Sequence, residues 1–158
     1  MKIRMRFLLL LFCMPILVLG QVVNYEQSSD LSWKLTNVQY LPDTNIDMII
    51  TLYGGKKRES DYNAKCSALK ILLFDGVGTG LFSKSLLSDG EQTAYNSHPI
   101  YFENLFKVAY NDFIKSCVME GEYKKADKSK GTNYHVIVRA LQLRRDLEKK
   151  GISNKIGL

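Results

Sequence analysis

The sequence predicts a single α+β domain, with a mixed or antiparallel sheet packed by about three helices. Three observations carry this. The nearly continuous apolar run Ile46–Tyr53 reads as a strand. Tyr62, Cys66, Leu69 and Leu73 recur at the spacing of one helix face. The polar stretch from Tyr123 to Tyr134 leads into the β-branched run Val136, Ile137 and Val138, as the connection of a hairpin does.

Taken in order, residues 21–30 form a polar lead-in after Val22-Val23. Leu31 to Leu41 alternates in part, so a strand there buries Trp33 and Leu35 and stops at the turn signal Pro42-Asp43. The run Ile46–Tyr53 ends at Gly54-Gly55 and suits a central strand covered on both faces. Lys56 to Glu59 is a charged turn, after which Ser60 or Asp61 caps a helix with Asn63, Lys65 and Lys70 on its outer face. Gly76, Gly78 and Gly80 end that helix, and the loop continues to Asp89-Gly90. Ser97-His98-Pro99 opens the next helix, whose face is Phe102, Leu105, Phe106 and Ala109. Periodicity allows that helix to continue through Phe113, but a break near Tyr110-Asn111, with a strand from Phe113 to Tyr123, fits the hairpin that follows. A final helix spans about Leu141 to Lys150, with Arg144 facing Glu148 and Asp146 facing Lys150. Gly151 is its left-handed stop, with Ile152 making the apolar contact.

The first 20 residues read as an export signal. Lys2, Arg4 and Arg6 precede 13 mainly apolar residues, Phe7 to Leu19, and the small Val18 and Gly20 suit cleavage before Gln21. A bilayer-spanning helix needs about 20 apolar residues, so the run is short for an anchor. No Cys follows Gly20 to accept a lipid, and Cys13 would be discarded with the signal. The remaining 138 residues suit one domain at 21–158.

Cleavage lowers the net charge from +6 to +3, with 19 basic against 16 acidic residues. The remainder is polarised: residues 21–122 carry −4 and residues 123–158 carry +7. Lys124, Lys125, Lys128 and Lys130 are therefore the candidate basic interaction surface, against the plainer reading of a solvated charged face. The partner expected is an envelope protein or an anionic surface, and export argues against nucleic acid. Cys66 and Cys117 remain as a candidate disulfide, which would close a loop of about 50 residues and stabilise by about 4 kcal/mol. Packing as free thiols on the apolar faces where both fall is the alternative.

Signatures of catalysis are weak. Gly78-Thr79-Gly80-Leu81-Phe82-Ser83-Lys84-Ser85 approaches a phosphate-binding loop, but Ser83 stands where the glycine before the lysine belongs, and no helix follows Lys84-Ser85 before Asp89-Gly90. His98 and His135 fall on separate elements without metal-ligand spacing. The pairs Asp43 and Asp47, or Glu120 and Glu122, have nothing to set them across a cleft. No cofactor and no metal are expected.

Ala64, Ala68, the run Leu72-Leu73-Phe74-Asp75-Gly76-Val77, Tyr101-Phe102, Leu105-Phe106, and the stretch from Leu143 to Ile152 carry a resemblance. Over most of residues 45–152 the chain resembles a group of uncharacterised exported proteins of Bacteroides and its relatives. The order of its elements is also similar to the small α/β domain of envelope-assembly proteins, such as the curli secretion lipoprotein and the penicillin-binding-protein activators. Those are usually lipid-anchored, whereas this chain lacks the acceptor Cys, and none of their functional residues carries over. Signal, composition, the weakness of the catalytic motifs and the resemblance taken together lead to the expectation of an exported, non-enzymatic binding or assembly protein of the envelope or periplasm. The rival reading is a small secreted hydrolase whose site assembles from residues distant in sequence; a convergent pocket holding the Gly76–Gly80 loop with Asp75 or His98 at a perturbed pKa would favour it.

Overall fold

Alternation decides the sheet. Ile46, Met48, Ile50 and Leu52 are buried on one face of a strand, β1 being Ser32–Tyr40 and this one β2, Ile46–Tyr53. Thr132, Tyr134, Val136 and Val138 are buried on the same face of β4, Thr132–Val138, which pairs antiparallel with β2 so that Ile50 meets Tyr134 and Met48 meets Val136. With β3, Ile114–Glu120, the strands lie in the order β1-β2-β4-β3, every neighbouring pair antiparallel. The computed structural model describes residues 31–124 and 130–153; the stretch expected to be an export signal and the lead-in after it lie outside them.

Among the described residues four α-helices complete the α+β fold: α1, Ser60–Lys70; α2, Glu91–Ser97; α3, Pro99–Lys107; and α4, Ala140–Lys149. Helix α1 lies against β2, β3 and β4, and Ala64, Ala68, Leu69, Leu72 and Leu73 reach full burial there. It runs on through a π-helical turn, Ile71–Asp75, which Gly76 stops at a φ of 77°. A short 3-10 turn, Ala109–Phe113, breaks α3 from β3, at the break predicted from sequence. Helix α4 ends as the sequence predicts: the N–H of Ile152 donates to the Leu147 carbonyl, and that of Gly151 to the Glu148 carbonyl. The Arg144–Glu148 pair also forms, at 3.0 Å.

Several expectations are corrected. Strand β2 buries Ile46, Met48, Ile50 and Leu52 in the core on one face only; its other face carries half-buried Asp47 and Ile49 and the buried, hydrogen-bonded Thr51. The α1 helix has no side-chain cap: Glu59 stands at that position and the Ser60 hydroxyl donates instead to the Lys57 carbonyl at 2.7 Å. Lys70 is not on an outer face. It is buried over the rings of Trp33 and Phe106, each centroid 5.8 Å away, and pairs with Glu91 of α2 at 2.7 Å. Asp146 receives the Tyr101 hydroxyl at 2.9 Å, one turn from the Lys150 expected to face it.

Candidate functional site

A concentration of exposed positive charge is built by two connections at one end of the sheet. Strand β2 stops at Gly54 and Gly55, whose φ values of 84° and 79° are cheap only without a Cβ. The chain then turns through Lys56, Lys57 and Arg58 into α1, and all three are exposed. The β3–β4 hairpin arrives beside it. Tyr123 donates its hydroxyl to the Gly55 carbonyl at 3.0 Å, and the Lys124 N–H donates to Thr132 Oγ1 at 3.0 Å, which closes the base of the hairpin. Gly131 fits because it has no side chain: a Cβ there would stand 2.2 Å from the Thr51 methyl. Lys124 and Lys130, both exposed, thereby join Lys56, Lys57 and Arg58.

Of the four lysines proposed from sequence, Lys125 and Lys128 lie outside the described residues. The sequence reading missed Lys56, Lys57 and Arg58 as members of the same surface, since they stand about 70 residues upstream. The signal was there as two glycine- or turn-flanked basic runs. Opposing acids are few among the described residues: Glu59 pairs with Arg58 at 3.1 Å, Asp61 pairs with Lys65 at 2.8 Å, and Glu122 is exposed nearby. Among the described residues, the exposed large apolar side chains, Tyr40, Leu81, Ile100, Val108 and Val118, belong to other parts of the molecule.

The chain matches no protein-family model, no curated protein and no solved structure.

The remaining candidates take up separate positions. The Gly76–Gly80 loop folds on itself: the N–H groups of Val77 and Gly78 donate to the carbonyls of Phe82 and Ser83, and the Phe82 N–H donates to the Tyr40 hydroxyl. Those amides are engaged, and Tyr40 fills the space beside Gly80 while donating to the Thr79 carbonyl. Burial, with Glu91 nearby, raises the Asp75 carboxyl above its ordinary range. His98 lines a cleft of about 680 Å³ between α3 and α4, together with Tyr101, Asp112, Asp146 and Lys150, and Asp75 is not among its walls. Burial and the neighbouring Asp146 carboxylate raise the Tyr101 phenol well above the ordinary tyrosine range, so it acts as a donor and not as a base.

Cys66 and Cys117 carry free thiols. Burial pushes Cys66 up to about 11 and Cys117 up to about 12, and the Cys117 thiol points at the Asp61 carbonyl, 4.0 Å away. Neither has the lowered pKa of a nucleophile. On the open face of the sheet, His135 bridges two strands: Nε2 is 2.5 Å from Glu120 of β3 and Nδ1 is 3.4 Å from Asp47 of β2. Asp47 and Glu120, set apart in the sequence reading, are thus brought to one histidine. No group of three or more His, Cys, Asp and Glu suited to a metal ion occurs among the described residues.

Proposed function

We propose that this protein is an exported, non-enzymatic binding or assembly factor that docks on an acidic protein face of the envelope through its basic end. The observation that carries the reading is the Tyr123–Gly55 hydrogen bond, which holds two basic connections together as one surface. Lys56, Lys57, Arg58, Lys124 and Lys130 outnumber Glu59 and Glu122 there, Asp61 being paired with Lys65, and a fixed cluster of one sign recruits a complementary partner more than it stabilises the fold. A protein partner is favoured over a lipid surface because, among the described residues, no large exposed apolar side chain stands at this end, and stable membrane attachment takes a hydrophobic signal besides a polybasic one. The described residues contain no helix long and apolar enough to cross a membrane.

The test is site-specific photo-crosslinking in cells producing the full chain. A photoreactive residue at Lys57 or at Lys124 should give one adduct of the same defined mass, and the same residue at Gln92 of α2 should not. The adduct should weaken on the background K56E/K130E and at high salt, because exposed charges are screened over about 8–10 Å at physiological ionic strength. Adducts with lipid alone, or equal crosslinking at all three positions, would overturn the docking reading. Intact-mass analysis of the exported chain should find Gln21 at its N-terminus; retention of Met1 would overturn the cleavage.

A further inference from the structure

At the opposite end of the sheet a second basic feature is concave. A cleft of about 400 Å³ opens where β2 begins, β3 begins and β4 passes into α4. Lys115, Arg139 and Arg145 contribute to its walls, with Asn45 and Gln142 as neutral donors and Asp43 as the one acid. Each cation is brought there by a separate device. Lys115 is the additional residue where the β3–β4 register shifts between Ile114 and Ser116, and such a bulge re-aims a side chain at an edge strand. Arg139 is the hinge between β4 and α4, and its Nη1 donates to the carbonyls of Asp112 and Ile114, both at 2.9 Å. Arg145 stands on α4, at the rim of the cleft.

We propose that this cleft binds a small molecule carrying a phosphate group. Three cations that converge on one concavity repel one another unless an anion joins them, and among the described residues neither Lys115 nor Arg145 forms an ion pair. The Arg139 guanidinium is already fixed by two carbonyls, and among the described residues its Nε and Nη2 hydrogens have no partner. A planar fork held in place loses little freedom on meeting a phosphate, and a phosphate offers enough acceptor oxygens for all three side chains. The volume lies within the usual range for small-ligand sites, about 300–1,000 Å³, so there is room for a phosphate with a sugar-sized body but not for a folded partner. A monocarboxylate would satisfy fewer of these donors.

NMR titration of the mature chain with glycerol phosphate, inorganic phosphate and acetate tests this. Saturable shifts should centre on the amides of Lys115, Arg139, Leu141 and Gln142, tighter for either phosphate than for acetate. Lys115 and Arg145 bond to nothing the fold requires, so K115Q/R145Q should stay folded and lose affinity at least about tenfold, or about 1.4 kcal/mol. Linear, unsaturable shifts, an unchanged affinity in that variant, or acetate binding equal to phosphate would each overturn the proposal. So would shifts centred on Lys56–Arg58 and Lys124, which would assign the anion to the other end of the sheet and leave the docking surface standing.

Discussion

His135 joins β4 to both its neighbours through charge. Partial burial pulls its imidazole pKa down, but the hydrogen bonds to Glu120 and Asp47 outweigh that and hold it above the ordinary histidine value. The other side chains facing it across the sheet, Ile49 and Val118, are neutral. A base whose pKa is higher folded than unfolded adds stability that is complete below the unfolded pKa, about 6.5, and is lost as pH rises through the folded one. The urea midpoint should therefore fall from pH 6 to pH 8 in the native chain and stay flatter in His135→Gln; parallel curves for the two proteins would sink the idea. The clip is not legible in the sequence, because Asp47, Glu120 and His135 come from three strands and only the register brings them together. Lys70 departs from its sequence reading for a related reason. Its spacing puts it off the Cys66–Leu69–Leu73 stripe, yet Trp33 from β1 and Phe106 from α3 close over it, and Glu91 neutralises it.

At the scale of elements, strong local patterns are readable and weak ones are not. The bounds of β2, the proline-led start of α3 and the Gly151 stop of α4 follow from an apolar run closed by Gly54-Gly55, a fixed φ and a left-handed residue, all of which are local. Helix α2 escapes sequence reading because its seven residues bury only Ala94 fully and so show no apolar stripe. The tip of the glycine loop distinguishes two residues with the same letter. Gly78, at a φ of 75°, has open space for at least 4 Å around the position a methyl would take, whereas a Cβ on Gly76 would meet the backbone of Ser83 and Lys84 at 2.6 Å. Gly78→Ala should thus cost about 1 kcal/mol, the left-handed penalty alone, and Gly76→Ala about 3 kcal/mol or more, since backbone has to move as well. Urea denaturation of the two variants measures this, and equal losses would show that the loop yields freely around Gly76.

Across the whole molecule, the α+β class follows from sequence, while the helix cover on one face of β2 and the strand order do not. Each hairpin is announced by its own turn residues, but nothing local says that β4 inserts between β2 and β3. That insertion is what leaves β1 and β3 as the edges, gathers the Lys56–Arg58 turn and the β3–β4 hairpin at one end, and brings Asn45 to the cleft of Lys115 and Arg139 at the other. The basic tail is visible as a charge asymmetry; the upstream half of that surface is hidden by sequence distance.

The pairing of β2 with β4 also imposes an order of events on a growing chain. Its partners lie 80 to 92 residues apart, from Leu52 with Thr132 to Ile46 with Val138, whereas β1–β2 and β3–β4 close over short spans. Until residues 132–138 are synthesised, β2 has one bare edge of unpaired N–H and C=O groups flanked by Ile46, Met48, Ile50 and Leu52, which is a template for pairing with another chain. A fragment ending at Lys124 should accordingly sediment as aggregate and bind a β-aggregate dye, and adding a peptide of residues 130–140 during refolding should suppress this. A soluble, monomeric fragment would mean that α1 alone shields the waiting strand, so that the nascent protein needs no holdase before its last hairpin is complete.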